Sequence, residues 1–294
     1  MHGQEQTLSY MHGARFDRRH RGSLRHLSII SAFVRQFIYP QTQHCLYTVA
    51  DGNDSAGHLF RSGRFGMGQG LCYGSYKLAL IRPRHCRGVP RTQLVIAEGQ
   101  TTRLAEIVAF LNRHGREKLF FPVCQTQDFS GPNALPAIGP QDFLLATCNG
   151  EIVGAMALWD QTSFKRLAIH NHGSLASGKS SGGLLGKAIA KLLVAGQSAN
   201  NAEMALLLLS FIAIKDDDAA IFQALLSAAV RQAAKRGCNI VACGLHERDP
   251  LLAAVQRLDP LYLGSQIYCT SLHDSIANIV ASPQVIPYLE LGTL

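Results

Sequence analysis

The dipeptide Asn149-Gly150 stands between two apolar runs, Asp142–Thr147 and Glu151–Trp159. Asn-Gly supplies the two positive-φ residues that a two-residue hairpin turn needs. The stretch therefore predicts two antiparallel strands joined by a tight turn. The elements around this hairpin follow from local periodicity. Gln93–Ala97 reads as a strand. Thr101 and Thr102 are placed to cap a helix whose Leu104, Ile107, Val108 and Leu111 share one face and which closes at Gly115. Phe164–His170 extends or follows the hairpin sheet, and Leu184–Val194 has helical spacing. Met204–Ile214 is an apolar strand, too short to span a bilayer as a helix. Asp216–Asp218 cap a long helix over Ala219–Arg236 that Gly237 ends. Asn239–Gly244 is a second apolar strand, Pro250–Leu258 a helix, and Leu261–Leu272 a last hairpin region.

From Gln93 onward this order is neither strict β-α alternation nor a block of strands. It predicts an α+β domain with a mixed, mostly antiparallel sheet flanked by helices. The first third is sparser. Leu8–Phe16 alternates loosely, Leu24–Ile38 has one helical face, and Cys45–Val49 is a strand. Asp51-Gly52-Asn53 then makes a turn and cap for a short helix Ser55–Phe60, ending near Gly63. Arg64–Gly74 is a glycine-rich loop, Ser75–Ile81 a strand, and Arg82–Arg91 the best linker. A weak internal repeat joins the two parts: strand, Asp/Asn-bearing turn, helix and tyrosine-bearing strand occur at Cys45–Tyr76 and again at Asn239–Tyr268.

Charge is uneven along the chain. Up to Arg91 there are 13 Lys and Arg against 4 Asp and Glu, and beyond it 15 against 16. A basic first third attracts phosphates, whether of nucleic acid, membrane headgroup or nucleotide cofactor. None of the eight cysteines forms a C-x-x-C pair, and most sit in apolar runs. That predicts reduced, buried thiols in a cytoplasmic protein, with neither a disulfide frame nor a metal site. No signal peptide opens the chain.

Several strings resemble the GNAT acyltransferase superfamily, specifically bacterial proteins with two GNAT-like units in tandem. These are Phe143–Gly154 running into Ala157-Leu-Trp-Asp-Gln161, Leu245-His-Glu-Arg-Asp-Pro250, and Pro287-Tyr-Leu-Glu-Leu291. They cover most of Gln93–Leu294. The resemblance implies a partial unit over residues 1–91, matching only the back half of a GNAT domain, and a complete unit over 92–294. It implies acetyl transfer from acetyl-CoA to a small-molecule or peptide amine. In the family, backbone N–H groups after a splayed central strand hold the pyrophosphate, with the pattern Arg/Gln-x-x-Gly-x-Gly/Ala. Arg19-His-Arg-Gly22-Ser-Leu24 matches two of those three positions, Leu24 being larger than the family residue. Arg19, Arg21, Gly22 and Ser23 are thus the expected pyrophosphate site. Asn53, in Asn53-Asp-Ser-Ala56-Gly-His-Leu59-Phe60, is expected to hold the pantetheine arm. Phe60 stands where the family usually has the tyrosine that protonates the leaving thiolate, and it cannot donate a proton. In the second unit the phosphate loop is replaced by Lys215-Asp-Asp-Asp218, which repels a pyrophosphate.

Other readings compete. Gly173-Ser-Leu-Ala-Ser-Gly178-Lys179-Ser180 fits the P-loop pattern in full, but lies in a Gly/Ser-rich stretch where such matches come cheaply. A non-catalytic binding or scaffold protein is the principal alternative, and nucleic acid is the least favoured partner. Trp159 and Asp160 lie beside the expected acceptor groove, Glu247 near a strand end, Tyr73 and Tyr76 in a strand, and His114 at a helix end. No catalytic base, nucleophile or metal-ligand set is assembled from them.

Overall fold

A computed structural model of the chain describes residues 8–11, 32, 36, 44–63, 70–83, 93–164, 205–271 and 285–293. Two compact units divide it. The first comprises Met1–Tyr76 and Gly264–Pro287, and the second Lys77–Leu263 and Tyr288–Thr293. The expected linker falls largely on residues 84–91, outside the described residues.

In the second unit, β4 (Val95–Glu98), β5 (Phe143–Cys148), β6 (Glu151–Asp160), β7 (Leu206–Ile214) and β8 (Ile240–His246) lie side by side, with the end of β3 (Gly70–Ile81) beyond β8. β4, β5, β6 and β7 pair antiparallel in turn, and β7 pairs parallel with β8. This is the mixed, mostly antiparallel sheet of an α+β domain. The turn between β5 and β6 has Asn149 at φ 52° and Gly150 at φ 85°, as the dipeptide requires. Helix α2 (Leu104–Gly115; α1 is defined with the first unit) buries Leu104, Ile107, Val108 and Leu111, the face expected from their spacing. Thr101 and Thr102 do not cap it. They form a 3-10 turn whose Thr101 carbonyl accepts from the Leu104 N–H, so the backbone closes the helix start without a side chain.

Helix α3 (Ala219–Lys235) buries Phe222, Leu225, Leu226, Ala229, Val230 and Ala233 against β5, β6 and β7. Its approach depends on Gly154 of β6, where a Cβ would stand 2.7 Å from Ile221 Cγ2 and 2.9 Å from Leu225 Cδ1. Of the three aspartates expected to cap α3, only Asp218 does so, accepting from the N–H groups of Ala220 and Ile221. Asp216 and Asp217 are turned away in the left-handed region, at φ 55° and 48°. Helix α4 (Leu252–Gln256) follows β8 and is shorter than the expected 250–258.

In the first unit the strand order is β1 (Leu8–Met11), β2 (His44–Ala50), β9 (Leu261–Ser271) and β3. β1 and β2 are parallel, from Leu8–His44 to Met11–Tyr47. β2 and β9 are antiparallel, from His44–Ser271 to Ala50–Ser265. The region expected to form a last hairpin is a single strand here. The expected glycine-rich loop is strand from Gly70 onward. Between β2 and β3, helix α1 (Asp54–Ser62) is capped by Asn53 and ended by Gly63 at φ 60°. Cys45, Tyr47, Val49 and Tyr268 form a buried cluster in this unit with Phe60 packed against it. The expected strand Phe164–His170 beyond its first residue, the helix Leu184–Val194 and the P-loop-like run Gly173–Ser180 lie outside the described residues.

Candidate functional site

The informative feature of the second unit is where its one parallel pair stops. β7 and β8 are in register from Leu206–Ile240 to Leu209–Cys243, yet β7 runs on to Ile214 and β8 to His246. At the same level the pairing of β6 with β7 shifts: Ala155 opposes Ala213 but Ala157 opposes Ser210, so Phe211 and Ile212 face Met156 alone. This is a β-bulge with Phe211 at φ 49°. A bulge takes its N–H groups out of the ladder, and those of Phe211 and Ile212 need other acceptors.

The chain's own segment 288–292 supplies them. Phe211 N–H donates to Glu290 Oε2 at 2.7 Å, and Ile212 N–H to the Tyr288 hydroxyl at 3.1 Å. The Tyr288 hydroxyl in turn donates to Glu290 Oε2 at 2.8 Å, and Gly292 N–H to Oε1 at 3.0 Å. Gln161 Nε2 closes the far end by donating to the Gly292 carbonyl at 2.5 Å. Tyr288 packs in the core beneath α3 with Met156 and Leu158. Gly292 lies against Trp159 and Ser210, and a Cβ there would stand 2.0 Å from Trp159 Cε3. Trp159 projects from the opposite face to Leu158, since side chains alternate along a strand. The segment therefore passes from one face of the sheet to the other, through the gap beyond Leu209 and Cys243.

A lysine occupies the rim of the same gap. Lys118, side chain 8% exposed, places Nζ 3.0 Å from Asp217 after β7 and 2.6 Å from Asp249 after β8. Asp249 also accepts from Leu251 N–H at the entry to α4. The Leu119 carbonyl, next to Lys118 in the chain, accepts from Tyr288 N–H at 2.7 Å. The aspartate trio therefore splits three ways: Asp218 caps a helix, Asp217 holds Lys118, and Asp216 takes a left-handed turn.

Burial of Glu290 raises its carboxyl above the ordinary value, while the hydrogen bonds from Gly292, Phe211 and Tyr288 pull the other way. Glu290, Lys118 and Asp249 were not singled out by the sequence reading as site residues. Glu290 and Asp249 do sit inside two of its motif strings, so the strings mark the place without the role.

The first unit carries other residues after its own parallel pair. Its parallel pair is β1–β2, and the second strand is again followed by a turn, a helix and a strand. Asn53 stands at the start of α1. Its Oδ1 accepts from Ala56 N–H at 3.4 Å and the residue is exposed. Behind it, Asp51 N–H donates to the Gly264 carbonyl at 3.0 Å, and Asp51 carboxylate occupies the space a Cβ on Gly264 would need. Arg19, Arg21, Gly22 and Ser23 lie outside the described residues.

Phe60 is a packing residue. Its ring lies 4.5 Å from that of Tyr47 and 5.7 Å from that of Tyr268. The Tyr268 hydroxyl lies against α1 and accepts from Arg61 Nη1 at 3.0 Å. Burial, with a smaller contribution from Cys72, keeps this phenol protonated above its ordinary range; Arg61 opposes the shift. Tyr73 is likewise raised by burial and by Cys269, and Tyr76 is buried. Trp159 is core, its Nε1 donating to the Pro136 carbonyl at 2.9 Å. His114 packs on Phe110 at 4.5 Å and lies 3.6 Å from Glu117. Among the described residues no group of three or more His, Cys, Asp or Glu side chains could hold a metal ion. No helix among them is long and apolar enough to cross a membrane.

A mixed sheet with a parallel central pair that parts beyond a bulge, carrying helices between its strands, defines a GNAT-like α+β fold. Solved structures agree. The chain is similar to a GCN5-related N-acetyltransferase from Sphaerobacter thermophilus, with TM-score 0.51 and 11% identity, over 88% of this chain and 71% of that one. It is also similar to the N-myristoyltransferase of Saccharomyces cerevisiae crystallised with myristoyl-CoA, with TM-score 0.51 and 10% identity, over 87% of this chain and 60% of that one. At these identities the likeness is one of fold. No family model and no curated protein sequence matches the chain.

Proposed function

We propose that the chain is an acyl-CoA-dependent N-acyltransferase, moving an acetyl group from acetyl-CoA to an amine, and that the acyl-CoA site belongs to the first of two related units. The observation that carries this reading is the contrast at the two parallel pairs. In the second unit Tyr288–Gly292 fills the gap and Lys118 bridges the rim carboxylates. A thioester arm entering there would have to displace a buried, hydrogen-bonded segment. In the first unit the corresponding helix begins at an exposed Asn53, and Arg19, Arg21, Gly22 and Ser23 supply two positive charges and a glycine-bearing backbone for a pyrophosphate. The fold similarity to an N-acetyltransferase and to an N-myristoyltransferase supports acyl transfer as the class of reaction.

In this reading a neutral amine attacks the thioester carbonyl. A carbon–nitrogen bond forms, the carbon–sulfur bond breaks, and the proton lost by the amine balances the one gained by the CoA thiolate. Backbone N–H groups polarise the carbonyl. Tyr268, whose hydroxyl accepts from Arg61 of α1, is the phenol that would replace the proton donor that Phe60 cannot be.

Calorimetry of the full chain with acetyl-CoA tests the proposal. The expected result is one equivalent bound per chain. Changing Arg19 and Arg21 together to Gln should weaken binding by about a hundredfold or more, given roughly 1.5–3 kcal/mol for each of two hydrogen bonds to a charged group. Two equivalents per chain would place a ligand in the filled gap and refute the contrast. Absence of heat at millimolar ligand would favour a non-catalytic scaffold instead.

A further inference from the structure

The turn that joins β5 to β6 carries the chain's single Asn-Gly dipeptide, Asn149-Gly150, and both residues are exposed. Among the described residues the Asn149 side chain makes no hydrogen bond and the Gly150 N–H meets no acceptor. A two-residue hairpin loop leaves that N–H outside the ladder, because the flanking pair is Cys148–Glu151. Gly150 carries no Cβ, and nothing stands within 4 Å of where one would be, so water reaches the turn freely.

The other described asparagines are restrained. Asn53 Oδ1 accepts from Ala56 N–H at 3.4 Å, and Asn239 Oδ1 accepts from Ala205 N–H at 3.2 Å. Asn112 exchanges two hydrogen bonds with the Cys124 backbone, each 2.8 Å long. Asn133 is exposed, but the nitrogen that follows it is engaged: Ala134 N–H donates to the Gly131 carbonyl at 3.3 Å, and Ala134 also brings a Cβ. Only at Asn149 do a free side-chain amide, a free following N–H and a following residue without a Cβ coincide.

We infer that the Asn149-Gly150 turn is a site of spontaneous backbone modification, at which Asn149 closes to a succinimide that opens to isoaspartate and aspartate. Hydroxide takes the Gly150 N–H proton, and the nitrogen forms a bond to Asn149 Cγ. The bond from Cγ to the side-chain nitrogen breaks, and that nitrogen leaves as ammonia with a proton from water, which restores the hydroxide. Water then opens the ring at either carbonyl, so one water is consumed for each ammonia released. The two products differ in what they do to the hairpin. Aspartate tolerates the left-handed conformation that residue 149 holds at φ 52°, and Asp-Gly fits the same turn. Isoaspartate routes the chain through Cβ and adds a backbone atom to a loop of two residues, so the Cys148–Glu151 pair loses its register. This inference is independent of where acyl-CoA binds.

The test is ageing of the full chain in mildly alkaline buffer, followed by peptide mass spectrometry with chromatographic separation of isomers. The mass gain of exchanging an amide NH2 for a hydroxyl should reach Asn149 before Asn53, Asn112, Asn133 or Asn239. It should run at least about fivefold ahead of Asn133, whose following N–H must first give up a hydrogen bond. Two isomeric peptides should hold the modified residue, one isoaspartyl and one aspartyl. The unfolding midpoint of the aged protein should fall below that of freshly made Asn149→Asp, the aspartyl reference, in step with the isoaspartyl fraction. A mass gain that reaches any of the other four asparagines first would overturn the inference. So would a product that is aspartate alone, or an isoaspartyl form as stable as the aspartyl reference.

Discussion

Replacing Glu290 by Ala tests whether the threaded segment is held by its carboxylate. The side chain accepts from two backbone donors, Phe211 and Gly292, and from the Tyr288 hydroxyl, in a site where Glu290 is 6% exposed. Two stranded backbone donors cost roughly 2–6 kcal/mol together, at about 1–3 kcal/mol each. Relief from no longer burying a carboxyl offsets part of that, so a net loss of about 2–4 kcal/mol is expected, at the upper end of single-residue effects. At roughly 2–4 °C per kcal/mol for a unit of this size, the unfolding midpoint should fall by about 5–15 °C. Thermal unfolding followed by near-ultraviolet circular dichroism reads it, because Trp159 lies against the threaded segment. A midpoint within about 1 °C of the parent would refute the reasoning.

The pH dependence gives a second measure of the same group. Burial raises the Glu290 carboxyl above its ordinary 4.5, so the native state keeps a proton that the unfolded chain has lost. Stability from this group is full below 4.5 and is lost as pH rises through the higher native value. Its slope is at most about 1.4 kcal/mol per pH unit. Glu290→Gln should remove that slope while keeping the side chain's volume, as urea titrations across pH would show.

Three other outcomes follow from the packing. Lys118→Met leaves Asp249, 4% exposed, without its cation, and should lower stability by about 3–5 kcal/mol in urea unfolding. Asp218→Ala removes the α3 cap and should cost about 1 kcal/mol by the same assay, whereas Asp216→Ala, which caps nothing, should cost less. Exposed Cys72 should react with a thiol reagent in the native protein. Buried Cys124, Cys243 and Cys269, each with its thiol pushed up to about 12, should react only after unfolding, as peptide mass spectrometry would show.

Much of the architecture was legible because it is local. The Asn149-Gly150 turn, the buried face of α2, the Asp218 cap and the Asn53 cap each depend on residues within four positions of one another. Legibility failed where a local signal met a longer-range one. Thr101 and Thr102 have the right chemistry for a cap, but the backbone closes that turn by itself. Asp216–Asp218 look like one acidic cluster, yet Lys118, distant in sequence, claims Asp217 and splits it. Phe60 was read as a lost proton donor. Its rings of contact, Tyr47 and Tyr268, come from two strands, and the second lies some two hundred positions later.

Periodicity and turn chemistry by themselves determined the α+β class and most strand and helix positions, and a family resemblance marked the strings in which Asp249 and Glu290 sit. Only the tertiary structure decided that the gap beyond Leu209 and Cys243 is closed. Which acceptor meets the freed N–H groups of a bulge depends on what the rest of the chain brings to it. Here that is a carboxylate 79 residues away from Phe211, a pairing that no local rule contains.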